Sequence, residues 1–156
     1  MNIDNKILID EVVHLLQCGN AHADLETALA GLPKELRGKT PDKLPYSIWQ
    51  LVEHIRIAQW DMLQFCKSGS HQSPKWPDAY WPREADPGTD EAWERSVMQI
   101  NEDLEEFVNL VTTADLFVKF PYSTGQNLLR EALQAADHTS YHVGEIIVIR
   151  RLLGTW

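Results

Sequence analysis

The sequence predicts an all-α fold: a four-helix bundle with a long crossover between its second and third helices. Three observations carry this prediction. Apolar residues recur at helical spacing over four long stretches, capping signatures stand at helix starts, and about twenty residues rich in proline and aromatics separate the second stretch from the third. With 156 residues the chain is long enough to bury a core, and we expect one domain spanning 1–156.

The first helix is expected from about Asp4 to Ala30, where Ile7, Leu8, Val12, Leu15, Leu25 and Leu29 recur at spacings of three, four and seven. Gly31-Leu32-Pro33 ends it, and the segment from Lys34 to Pro45, with Gly38, Pro41 and Pro45, reads as a connection. Ser47, three residues before Gln50, forms a capping-box pattern and opens the second helix, which runs to about Ser68-Gly69. Ile48, Trp49, Leu51, Val52, Ile55, Ile57, Ala58, Trp60, Met62, Leu63 and Phe65 make it apolar around most of its circumference, so it belongs deep in the bundle.

Ser70 to Thr89 holds four prolines and Gly88 together with Trp76, Tyr80 and Trp81, which excludes a regular helix but suits a packed crossover between non-adjacent or parallel helices. Thr89 or Asp90 caps a third helix over about Glu91–Val111, with Trp93, Val97, Ile100, Leu104, Phe107 and Val108 facing inward. Thr112 to Tyr122 is expected to be irregular, extended around Leu116–Phe120. Ser123 and Gln126 repeat the capping-box spacing and are expected to start the fourth helix, which ends at Gly154.

Bulk properties narrow the function. The net charge of -9 makes the average surface repel phosphate backbones, so nucleic acid is not an expected partner. No run approaches the roughly 18 apolar residues of a membrane span. Early acidic residues interrupt any signal-peptide core, and we expect a cytoplasmic protein that meets no membrane. The two cysteines, Cys18 and Cys66, lack metal or disulfide spacing and read as buried free thiols. The apolar second helix and six tryptophans make a homodimer a reasonable assembly.

The chemistry concentrates in the fourth helix. His138 and His142 lie four apart, which stacks both imidazoles on one helical face at the edge of the stripe formed by Leu128, Ala132, Ala135, Ile146, Ile149 and Leu153. Two inward imidazoles without a strong partner would cost about 1–3 kcal/mol each. They make half of a metal site, and His54, in the most apolar helix, is the natural third ligand. Three neutral imidazoles suit zinc, nickel, copper or ferrous iron, so the ligand set does not name the metal.

Glu145, one turn past His142, is a candidate fourth ligand, outer-sphere acceptor or catalytic base. Thr139 stands where a zinc protease of the His-Glu type would carry its base, which disfavours that chemistry. Asp61, two turns from His54, could orient a ligand, and Trp76, Tyr80 and Trp81 could roof a substrate pocket. Asp137 and Glu53 point away into solvent or structural pairs, and Tyr141 points away into packing. A rival set, His14, Cys18 and His22, recurs every four residues in the first helix, but its direction drifts about 40° per step, and ordinary packing explains it.

These residues resemble the DinB-like superfamily of four-helix-bundle metalloenzymes over nearly the whole chain. The resemblance rests on Pro-Tyr-Ser-Ile-Trp-Gln-Leu-Val-Glu-His, which ends at His54, and on the late His-x3-His-x-Gly-Glu segment with its Ile-Val-Ile-Arg-Arg-Leu-Leu-Gly-Thr-Trp tail. It implies an up-down-down-up bundle and a divalent metal held by His54, His138 and His142, with open positions left for water. It also implies a small-molecule substrate. Characterised members include thiol S-transferases and a thiol-dependent maleylpyruvate isomerase, so a low-molecular-weight thiol is the implied co-substrate and a transferase or hydrolase the implied enzyme. The alternative is a non-catalytic bundle that binds a metal or small ligand.

Overall fold

The computed structural model describes residues 3–17 and 21–156. Among the described residues five helices follow one another: α1 (Ile3–Gln17), α2 (Leu25–Leu29), α3 (Ile48–Lys67), α4 (Asp90–Thr113) and α5 (Leu128–Leu152). The four long ones, α1, α3, α4 and α5, form the expected four-helix bundle. Single 3-10 turns occur at Lys34–Leu36 and Asp78–Tyr80, and among the described residues the only β pairing is an isolated bridge between Lys119 and Asn127.

Helix α3 is the central element. Its capping box is complete: the Ser47 side chain accepts the Gln50 amide proton and the Gln50 side chain accepts that of Ser47. Eleven of its twenty residues are buried, and it packs chiefly on α4 and α5. Contacts with α4 advance in step, with Trp49 on Trp93, Gln59 on the Ile100 carbonyl and Lys67 on Glu106, so the two helices are parallel. Such a pairing requires the long crossover. Helix α5 runs the other way, since Tyr46 meets Glu145 whereas His54 meets His138.

The expected first helix is divided. Asp24 adopts an extended backbone and its carboxylate accepts the Thr27 amide proton at 2.7 Å, which starts α2 afresh. The apolar spacing survives the break because Leu25 and Leu29 still pack on the core, and the spacing alone therefore hid it. Cys18, expected within that helix, lies outside the described residues. The fourth helix also starts later than expected. Ser123 bonds the Phe120 carbonyl and Phe120 the Gln126 carbonyl, a turn and not a cap, and Asn127 caps α5 through the Arg130 amide. Leu116–Phe120 forms no strand beyond the single bridge. Gly154, at φ 73°, follows the C-terminus of α5 in the left-handed conformation that favours glycine. Part of the apolar surface of α3 on which a homodimer was expected is buried inside the bundle, though Ile57, Trp60 and Phe65 stay partly exposed.

One buried charge ties the end of α2 to the segment after α5. Arg150 is 5% exposed and donates to the carbonyls of Ala28, Ala30 and Thr155 at 2.7–2.9 Å. Arg150→Met keeps the length but leaves three carbonyls unpaired, two of them at the end of α2. We expect a loss of about 2–4 kcal/mol, read as a lower denaturation midpoint at unchanged m-value. Among the described residues no helix is long and apolar enough to cross a membrane.

Candidate metal centre

One face of α3 laces down the crossover in register. Ser47 donates to the Ala85 carbonyl at 2.5 Å, Gln50 to that of Pro82 at 3.1 Å, and His54 Nδ1 to that of Tyr80 at 2.9 Å. Further along, Asp61 accepts from the Tyr80 hydroxyl and from His71 Nε2, both at 2.6 Å. These positions recur at three, four and seven, one helical stripe. The lacing lays Trp81 flat on His54, with ring centroids 3.9 Å apart and planes 6° from parallel.

Opposite, α5 presents His138 and His142. Their ring centroids lie 4.8 and 4.6 Å from that of His54, and one ligand nitrogen from each of the three rings lies within 4.8 Å of the others. The fold thus gathers His54, His138 and His142 from two helices. Among the described residues this is the one group of three or more such side chains placed to hold a metal ion. His14 and His22 of the rival set are not part of it; His22 instead bonds Ser140.

The hydrogen bonds fit a metal. Because Nδ1 of His54 gives its proton to the Tyr80 carbonyl, its Nε2 keeps a lone pair, and that atom lies 3.0 Å from His138 Nε2. Two nitrogens bound about 2.0–2.1 Å from one ion lie roughly 3–3.4 Å apart, so this separation suits shared coordination. His142 Nδ1 donates to Glu145 Oε2 at 2.6 Å, which leaves its Nε2 free in the same way. A carbonyl behind one ring and a carboxylate behind another is the outer support that orients metal-binding imidazoles.

Burial holds both His54 and His138 below the ordinary imidazole range, the latter pushed down to about 3 by burial and by the neighbouring His142 and His54. Both rings are neutral at pH 7 and available as ligands. In the unfolded chain His138 charges near 6.5, in the folded chain only near 3. Between those values the unfolded chain binds the extra proton, so stability falls as pH falls. The unfolding midpoint of metal-free protein should therefore drop from pH 6.5 to pH 5, and the slope should be shallower in His138→Phe.

Each oxygen of Glu145 accepts one hydrogen bond. Oε1 accepts from the Tyr46 hydroxyl and Oε2 from His142. The Tyr46 ring in turn stacks on Trp81, at 5.5 Å and 15°, so Tyr46, Trp81, His54, His142 and Glu145 form a closed ring of contacts. Burial and the adjacent Glu145 raise the Tyr46 phenol above its ordinary range, which keeps it a donor. Sequence reasoning missed Tyr46; its only local signal is its place just before the Ser47 cap. Glu145→Gln puts an amide N–H against one of the two donors, and we expect metal affinity to fall about 10–100-fold, measured by competition with a chromogenic chelator.

The remaining expected pocket residues separate. Trp81 stands in the wall of the site. Tyr80 contributes its carbonyl to His54 and its hydroxyl to Asp61, burial and that bond pushing the phenol up to about 12. Asp61 is taken up in holding Tyr80 and His71, one step removed from the histidines. Trp76 is 69% exposed and meets Tyr80, which makes it the outlying member of the three crossover aromatics. Tyr141, expected to point away from the histidine pair into packing, instead stands 66% exposed with its ring at the edge of His142. Cys66 is partly buried and its thiol is pushed up to about 12 by burial, so it is no nucleophile near neutral pH.

A shallow cleft of about 360 Å³ borders Trp81, lined also by Pro77, Asp78, Pro82 and Arg83. Another cavity, of about 370 Å³, lies among the five helices; none of the three histidines lines it.

An all-helical bundle whose second and fourth long helices converge three imidazoles, two of them braced from behind, defines a class of helical proteins with a histidine site that can hold a metal. The family comparison agrees: the model of the DinB superfamily matches residues 17–146, and the chain belongs to that superfamily. Neither a curated protein nor a solved structure matches the chain significantly.

Proposed function

We propose that this chain, acting as a single domain, is a divalent-metal-dependent enzyme in which His54, His138 and His142 hold zinc or nickel, with iron also admitted by the ligand set. The observation that supports this best is the bracing of His54 and His142 through Nδ1, which leaves both Nε2 lone pairs free within a group of ligand nitrogens no more than 4.8 Å apart. A divalent cation held there would supply Lewis acidity, bringing the ionisation of a thiol or a water toward neutral pH. The protein's own groups do the rest. Tyr80 and Glu145 fix the tautomers of His54 and His142, Trp81 covers one face of His54 and excludes water from it, and Tyr46 keeps Glu145 in place as an acceptor.

With both oxygens engaged, Glu145 acts in this proposal as a positioning residue and not as the catalytic base. The substrate is a small molecule in the cytoplasm, entering beside Trp81, and the co-substrate a low-molecular-weight thiol; the reaction is thiol transfer, or hydrolysis where water takes the thiol's place. Turnover by zinc- and nickel-loaded protein, assayed with a panel of thiols against electrophilic acceptors and with esters, tests the reading. Activity lost in His142→Ala is expected. Silence across the panel at full loading would leave a bundle that binds metal or a small ligand without turnover.

A further inference from the structure

The cavity of about 370 Å³ among the five helices has no part in the histidine site. The two share only α5: Thr139 and Val143, which line the cavity, each follow a site histidine by one residue and so face about 100° away around the helix. Its volume is at the small end of ligand sites, which run to about 300–1,000 Å³.

The lining grades from apolar to acidic. Gln59, Ile100, Ala136 and Val143 are buried and form the floor; Leu15, Leu16, Leu25 and Leu104 are half-buried and form the wall; Glu26 and Glu105 are exposed and stand at the mouth. No lysine or arginine is among the described residues that line it. One polar group at the floor is unpaired. Gln59 is 4% exposed and its amide N–H donates to the Ile100 carbonyl at 2.7 Å, but among the described residues no donor meets its carbonyl oxygen Oε1. A buried acceptor without a donor destabilises the fold, and a ligand that brings a donor removes that penalty. Ser140, at the side, offers a second acceptor. His22 Nδ1 donates to the Ala23 carbonyl at 2.9 Å, so its Nε2 takes the Ser140 hydroxyl proton at 3.0 Å and the lone pairs of Ser140 Oγ are left to the cavity.

We propose that this cavity binds a small organic amine with an apolar body and a second hydrogen-bond donor at its far end. The ammonium stays at the mouth beside Glu26 and Glu105, where it keeps part of its hydration; a charge carried to the floor would lose it. The body lies along the four leucines, and the distal hydroxyl or N–H donates to Gln59 Oε1. An anion of the same shape meets two carboxylates at the mouth and is rejected. None of the three site histidines takes part, so occupancy of the cavity does not rest on a metal.

Tyramine is the probe, with an ammonium at one end and a phenolic hydroxyl at the other. Phenethylamine lacks the hydroxyl, tyrosol replaces the ammonium by a neutral alcohol, and phloretate replaces it by a carboxylate. Titration of the full chain, followed by amide NMR shifts, is expected to move Leu15, Leu104, Ser140 and the Gln59 side-chain amide saturably, with a tyramine dissociation constant of about 0.1–1 mM. Phenethylamine and tyrosol should bind about tenfold more weakly and phloretate not at all. Ser140→Leu fills the cavity from the side and should abolish the shifts, with circular dichroism as the check on folding. The exposed double variant Glu26→Gln/Glu105→Gln should bring tyramine within a few-fold of tyrosol. Binding should be unchanged in His54→Ala/His138→Ala. Tyramine that moves none of these resonances saturably, phenethylamine or phloretate bound as tightly as tyramine, or affinity indifferent to both Ser140→Leu and the double charge variant overturns the proposal.

Discussion

Zinc is expected to stabilise the metal-free protein through the proposed site, and replacing His142 by alanine is expected to abolish that stabilisation. A ligand that binds only the folded chain, present at a thousand times its dissociation constant, adds about 4 kcal/mol. For a chain of this length that is a rise of roughly 8–16 °C in the unfolding midpoint. His142 is one of three converging rings and the one braced by Glu145. Without it two imidazoles remain, fewer than the three protein ligands of an open zinc site. The midpoint of His142→Ala should therefore move by less than about 2 °C at the same zinc concentration. His14→Ala, an exposed substitution in α1, should retain the full shift. A shift lost in His14→Ala and kept in His142→Ala would place the metal in the first helix instead.

The second large effect lies in the core. Phe107 is fully buried where α4 meets Val12 of α1, Ala58, Met62 and Leu63 of α3, and Leu128, Ala132 and Ala135 of α5. Phe107→Ala leaves a cavity that four helices must close together, so little relaxation is available. The expected cost is about 3–5 kcal/mol, roughly a fifth or more of the stability of a typical domain. Chemical denaturation should show a midpoint lowered accordingly, and a cost under 1 kcal/mol would mean that the bundle repacks around the vacancy.

How much the sequence revealed depended on how local the cause was. The start of α3 was legible because the Ser47–Gln50 capping box is a contact between neighbours, and the start of α4 because Thr89 caps it within three residues. The same signature misled at Ser123 and Gln126, where tertiary placement turns the segment back on Lys119 and leaves the cap to Asn127. The break before α2 was hidden because both segments serve the same core. The three histidines were legible as types and spacings, since unpartnered imidazoles in an apolar helix demand an explanation. Their supports were not: Tyr46 reaches Glu145 across 99 positions, and nothing local distinguishes Trp81, stacked on His54, from Trp76, turned to solvent. The path of the crossover along α3 decides that, and it is set by backbone carbonyls that every sequence possesses.

The central claim is that His54, His138 and His142 hold a metal ion. Protein purified without an affinity tag, analysed by elemental mass spectrometry beside a His54→Ala/His138→Ala variant, tests it most directly. About one equivalent of zinc, nickel or iron per chain in the parent, and little in the variant, is the predicted result. Absence of metal from both, persisting after incubation with zinc and with nickel, would contradict it and return the three rings to the core as packed, hydrogen-bonded side chains.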